Sequence, residues 1–270
     1  IEHPAVAQHE IVGGGWRHSG APFKAAAGCR STTHITMRAA SSAIVPPSAT
    51  IAGLMNPLPT PRLLLITDRR LAAPRPIEDV VGAAFAAGCR WVSLREKDLT
   101  LPERTALLRR LVTLGRAHGA TVTVHGDIEA ALAADAAGVH LPAGGSAAAA
   151  RRRLGPSALI GVSAHDLAEA REAASGGADY VTFGPVFASL SKPGYGPDEG
   201  AAGLDRLREA AAALPVPVAA LGGVTAASAG RCLEAGAAAV AVIGAVVAAA
   251  DPGAATAGLL TALRPVMGRY

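Results

Sequence analysis

Aromatic residues are nearly missing from this chain: Phe, Trp and Tyr make up 3% of its 270 residues, although 50% of them are hydrophobic. The length suffices for one large core, and Val, Leu, Ile and Ala must fill it. Cysteine is as scarce. Cys29, Cys89 and Cys232 are odd in number, far apart and without a CxxC pair. They support neither a disulfide framework nor a zinc site, and a reducing cytoplasm is the expected setting. Charge is thin: 17% of residues are charged, with a formal net charge of +4. Beyond Arg151-Arg152-Arg153, which reads as a solvated helix end, no dense basic block exists, so no nucleic-acid partner is expected. No uninterrupted apolar run is long enough for a transmembrane helix. Also missing are a GxGxxG after the first apolar run, a GxSxG elbow, and HxH or HExxH spacing.

Residues 1–60 differ from the rest. They lack a sustained period, are rich in Gly, Ser, Thr and Pro, and hold no acidic residue between Glu10 and Asp68. They read as a disordered or non-native N-terminal extension, with an acid-poor transit peptide as the alternative.

From Leu63 onward a pattern repeats. The apolar runs LLLIT, WVSL, TVTV, GVHL, LIGVS, YVTFG, PVAAL and VAVIG alternate with Ala/Leu-rich amphipathic segments. Parallel strands covered on both faces read as such continuous runs. Glycines recur just before them, as in AAGCRWVSL and EAGAAAVAV, where a helix-ending residue must turn left-handed. The repeat predicts a (β/α)₈ TIM barrel over residues 61–270, with an open doubly wound sheet as the runner-up. Barrel function sits on the loops that follow the strands.

Four groups at those ends could carry chemistry. Gly222-Gly223 and Ile243-Gly244 close the seventh and eighth runs, a corner that often binds phosphate through backbone N–H groups. Arg95 and Lys97, two apart in SLREKD, share one side of a strand and can clamp a second anion. The loop TFGPVFASLSKPGYGP adds Ser189, Ser191 and Lys192, two hydroxyls and a third cation. His125, His140 and His165 lie at strand ends, as base, ligand or structural residue. Three cations and hydroxyls around one mouth suit a diphosphate better than a carboxylate.

The ordered motifs LLLITDR, WVSLREKD, GVHLP, IGVSAH, ADYVTFGPVF, SLSKPG, VAALGGV and VAVIGAV resemble those of the thiamine phosphate synthase / thiazole tautomerase family over about residues 62–251. The resemblance implies a (β/α)₈ barrel acting as a transferase. Such an enzyme joins a thiazole phosphate to an aminopyrimidine methyl diphosphate, with release of diphosphate. By the same resemblance Arg95, Lys97 and Lys192 grip diphosphate and Ser163 lies near the pyrimidine. Ser189 and Ser191 stand near the thiazole phosphate, which Gly222, Gly223, Ile243 and Gly244 bind. Ser93, His125 and His140 complete the substrate-binding set. Mg2+ is the implied cofactor. The partners are small phosphate and diphosphate substrates, with homo-oligomer formation left open by the sequence.

The chain departs from the family pattern at three places. Ser93 stands where the family usually has Gln. The usual metal-binding aspartates fall on Gly126 and Gly145, which leaves Asp127, one position away, as the candidate metal ligand. HLP at His140–Pro142 resembles the tautomerase side, yet Pro185 occupies the place of that group's characteristic histidine. A cofactor-free isomerase using His125, His140 or His165, or a non-catalytic phosphate-binding protein, are therefore the alternatives.

Overall fold

A computed structural model describes residues 55–188 and 200–264. Eight parallel strands close into a barrel in chain order, β1-β2-β3-β4-β5-β6-β7-β8. They are β1 (Leu63–Ile66), β2 (Trp91–Leu94), β3 (Thr121–His125), β4 (Gly138–Leu141), β5 (Leu159–Ala164), β6 (Tyr180–Phe183), β7 (Val218–Leu221) and β8 (Ala239–Val242). The eight apolar runs of the sequence are these strands. The ring closes through Leu64 opposite Ala241 in the β1–β8 pair.

Helices alternate with the strands: α1 (Arg69–Ala72) and α2 (Ile77–Ala86) after β1, then α3 (Leu101–Ala117), α4 (Ile128–Ala133), α5 (Ala147–Leu154), α6 (Leu167–Ser175), α7 (Gly200–Ala213) and α8 (Ala226–Glu234). Two helices follow β8, α9 (Gly244–Val247) and α10 (Pro252–Ala262). Local chemistry starts each helix close to the strand it follows. The side chains of Asp127, Ser146, Asp166 and Asp251 accept a backbone N–H at the helix start. Thr100 and Glu103 form a capping box at α3. Such caps satisfy donors that a helix end leaves orphaned, and they keep the βα loops short. α3 shows the burial pattern: Leu107, Leu108, Leu111 and Val112 form its inward stripe at the helical spacing of a core-facing side.

Alternation along the strands sorts the interior into two clusters. Leu63, Leu65, Val92, Val124, Ile160, Val181 and Val240 face outward against the helices. Leu64, Ile66, Trp91, Leu159, Tyr180, Ala219, Ala239 and Ala241 pack inside the ring. Trp91 and Tyr180 meet edge to face at 4.8 Å and supply the bulk of this inner cluster, a favoured aromatic geometry. Leu58 packs against the same cluster, and the Asn56 N–H donates to the Asp179 carboxylate at 2.8 Å. Asp179 also accepts from Arg151 at 2.8 Å and from the Ile160 N–H at 2.7 Å. These contacts close the end of the barrel where the strands begin. No helix among the described residues is long and apolar enough to cross a membrane.

Candidate active site

A cavity of about 550 Å³ opens at the other end, where the strands finish. Arg95, Lys97, His125, His140, Ser163, Gly222, Gly223, Ile243 and Gly244 all line it. So do Thr182, Pro185 and Ile66. Ser189, Ser191 and Lys192 lie outside the described residues.

The corner between β7 and β8 is made of backbone. Gly222 and Gly223 have φ of 99° and 61°, a region that L side chains rarely adopt. A Cβ at Gly223 would lie 2.2 Å from the Ala188 carbonyl oxygen, and one at Gly222 would lie 2.7 Å from Pro185 Cα. The reason is that the β6 loop docks on the β7 loop: the Val186 N–H donates to Leu221 O at 2.9 Å and the Phe187 N–H to Gly222 O at 3.1 Å. Gly244 differs, because a Cβ there would meet nothing within 4 Å. No described residue accepts a hydrogen bond from the N–H groups of Gly223, Val224, Gly244 or Ala245. N–H donors so placed beside the start of α8 suit an anion.

The end of β2 presents side chains instead. Arg95 and Lys97 reach the cavity, while Glu96 between them turns inward and is only 4% exposed. Its carboxylate accepts from Thr67 Oγ1 at 2.8 Å and from the Arg69 N–H at 3.1 Å. Thr67 Oγ1 in turn accepts from the Arg95 N–H at 2.9 Å. A buried carboxylate thus fixes the backbone direction from which Arg95 and Lys97 project. Burial pushes the Glu96 carboxyl up, against the opposing hydrogen bonds from Thr67 and Arg69. Asp98 pairs with Arg69 and Arg70.

On the wall formed by β4, β5 and β6, His140 is buried among hydroxyls. Its Nδ1 lies 3.0 Å from Tyr180 Oη, and its Nε2 lies 2.9 Å from Ser163 Oγ and 3.2 Å from Thr182 Oγ1. The Tyr180 hydroxyl has His140 as its hydrogen-bond partner, and the ring tautomer sets which of the two donates. Ser163 Oγ also accepts from Thr182 at 3.4 Å. Close packing makes this possible: a Cβ at Gly161 would lie 2.1 Å from the Tyr180 ring and 2.5 Å from His140 Nδ1. Burial, reinforced by His125, drives the His140 pKa down to about 3. Burial followed by the charges of Arg95 and Lys97 takes His125 to about 4. Both rings are neutral at pH 7. His165 is paired with Glu169 at 3.0 Å.

Two sequence candidates are placed elsewhere than the cavity wall. Ser93 points into the barrel but is 1% exposed, does not line the cavity, and its Oγ has no partner. Asp127, the expected metal ligand, instead caps α4 through the Ala130 N–H at 2.9 Å and forms an ion pair with Arg104. Among the described residues no group of three or more His, Cys, Asp or Glu side chains is arranged to hold a metal ion. Sequence reasoning overlooked Thr67, Tyr180 and Thr182. Their signal was present, as polar groups at inward positions of otherwise apolar strands.

Comparison with known proteins agrees with this geometry. The chain is similar to a thiamine-phosphate synthase of Roseiflexus castenholzii, 41% identical over 223 residues that cover 81% of this chain and 96% of that one. It is similar to a putative thiamine-phosphate synthase of Geobacter sulfurreducens, 43% identical, covering 75% and 94%. Among solved structures, a thiamine phosphate pyrophosphorylase from Pyrococcus furiosus superposes with a TM-score of 0.67 at 32% identity, covering 77% of this chain and 97% of that one. A sequence profile described as thiamine monophosphate synthase matches residues 63–246, and the chain belongs to that family.

Proposed function

We propose that this chain is a thiamine phosphate synthase, a transferase that joins a thiazole phosphate to an aminopyrimidine methyl diphosphate. The observation that carries this reading is one cavity lined on one side by Gly222, Gly223 and Gly244 and on another by Arg95 and Lys97. The backbone corner at β7 and β8 suits a terminal phosphate, and the Arg95–Lys97 pair on β2 suits a diphosphate. The two are separated by β1 alone, close enough for one ligand in each to meet over Ile66.

In the reaction the methylene C–O bond breaks and its electron pair leaves with the diphosphate. The cations of Arg95 and Lys97 stabilise the charge that develops there. The positive charge left on the methylene is shared with the pyrimidine ring, and the thiazole nitrogen attacks it to form the new C–N bond. Ser163, held in place by its hydrogen bonds with His140 and Thr182, contacts the pyrimidine. The backbone corner keeps the thiazole in position, so that the second step is effectively intramolecular.

Magnesium, which the family resemblance implies, does not fit the described donors. It requires oxygen ligands in near-octahedral geometry, and the one carboxylate near its expected place, Asp127, is engaged by Arg104. The isomerase alternative requires a histidine acting as acid and base toward the cavity. Both ring nitrogens of His140 are already engaged and Pro185 stands in place of the tautomerase histidine, so that reading falls to His125 or His165, which also line the cavity.

The test supplies both substrates to the purified chain and follows thiamine phosphate and diphosphate together. Equimolar appearance of the two supports the synthase. Binding of thiazole phosphate with neither product appearing would leave the non-catalytic reading, and conversion of a thiazole isomer alone would leave the isomerase.

A further inference from the structure

The disagreement over magnesium extends beyond missing side chains, because at one of the two expected aspartate positions the space is already taken. At Gly145 a Cβ would lie 2.7 Å from Leu141 Cβ and 2.9 Å from the Pro142 carbonyl oxygen. No carboxylate-bearing residue enters there unless the loop after β4 moves. Gly126 has φ 70°, a conformation unfavourable for most side chains. The described carboxylates around the mouth are committed elsewhere: Glu96 to Thr67 and the Arg69 N–H, Asp98 to Arg69 and Arg70, Asp127 to Arg104. What faces the cavity from β2 is two cations. A divalent cation brought against them would be repelled, whereas a polyanion would be attracted without an intermediary.

We propose that this chain holds diphosphate directly on Arg95 and Lys97, with no divalent cation between protein and ligand. The proposal rests on the synthase reading for the identity of the anion. It has a consequence of definite sign. Diphosphate complexed with magnesium carries less negative charge than the free anion, so added magnesium should weaken binding rather than strengthen it.

The experiment is calorimetric titration of the full chain with inorganic diphosphate, once with a chelator and once with excess magnesium, alongside the coupled turnover assay. The full chain includes Asp198 and Glu199, which lie outside the described residues, so any ligand they supply is present. Binding in chelator at least as tight as in magnesium, weakened at least tenfold by Arg95→Ala, is the expected result. Binding at least tenfold tighter with magnesium would overturn the proposal and leave the synthase reading standing if turnover is seen. Magnesium-independent binding with no coupled product would uphold the anion site and sink the synthase reading. Failure to bind diphosphate in either condition would overturn the proposal as well.

Discussion

At the β7–β8 corner the groups that face the cavity are backbone N–H donors, set by the φ of 99° and 61° at Gly222 and Gly223. At the ends of β2 and β3 they are side chains: Arg95, Lys97 and His125. Both are proposed anion sites, built from different groups. A backbone site depends on how two loops pack against each other, so a change there disturbs the fold. A side-chain site can exchange one charge for another while its strands stay in place.

The largest test of that contrast removes the side-chain half. Arg95→Ala with Lys97→Ala should lower turnover by about a thousandfold or more, since loss of even one charge-stabilising donor typically costs about 10²–10³-fold. Affinity for thiazole phosphate alone should stay within about twofold of wild type, because the backbone corner is untouched. A parallel loss of both would mean that the two anion sites are one.

Next come the glycines of the other half, where packing and function can be separated. Gly223→Ala forces a Cβ to 2.2 Å from the Ala188 carbonyl oxygen at positive φ. It should cost about 2–4 kcal/mol of stability, read in a denaturant titration. Gly244→Ala meets nothing of the protein within 4 Å. It should leave stability within about 0.5 kcal/mol and weaken thiazole phosphate binding about tenfold, or about 1.4 kcal/mol. An unchanged affinity would show that the space beside Gly244 is not where the phosphate sits.

A smaller effect probes what holds the side-chain half in place. Glu96→Gln keeps an oxygen for Thr67 but sets an amide against the Arg69 N–H, loosening the link through Thr67 to the Arg95 backbone. Turnover should fall several-fold, about 1 kcal/mol in the barrier, and diphosphate affinity should fall with it. Thiazole phosphate affinity should not move. An equal fall in both affinities would point to general destabilisation instead of positioning of Arg95.

Particular residues show how far the sequence could be read. The eight strands were legible because each is a short apolar run covered on both faces, and the barrel then told which strand ends matter. Arg95, Lys97, Gly222 and Gly244 followed from that rule. Asp127 did not, because its partner Arg104 lies 23 residues earlier, on α3, and no local pattern announces a contact between neighbouring βα units. His140 was legible as a strand-end residue but not as a buried one. Its enclosure depends on Gly161 making room and on Tyr180 reaching across from β6, contacts that arise only when the ring closes. Ser93 shows the same limit: alternation places it inward, but its depth below the mouth is set by the stagger of the strands.

The smallest effect at neutral pH tests that buried wall. The His140 pKa is about 3 in the folded protein, below the ordinary histidine value of about 6.5. Between those values the unfolded chain binds a proton that the folded chain refuses, so stability rises with pH across the window and falls as the solution is acidified. Above about pH 6.5 both states carry a neutral ring and the contribution is constant. His125, at about 4, adds to the decline in the same direction. Each histidine contributes a slope of at most about 1.4 kcal/mol per pH unit. His140→Gln should flatten that slope, at the cost of a constant offset from the altered contacts with Tyr180 and Ser163. Tyr180→Phe should keep it, since burial is the main cause of the shift and the ring stays buried. Denaturant titrations between pH 7.5 and 4.5 separate the cases. An unchanged slope in His140→Gln would mean that the ring is solvated in solution and that the wall it forms with Tyr180 and Ser163 is open.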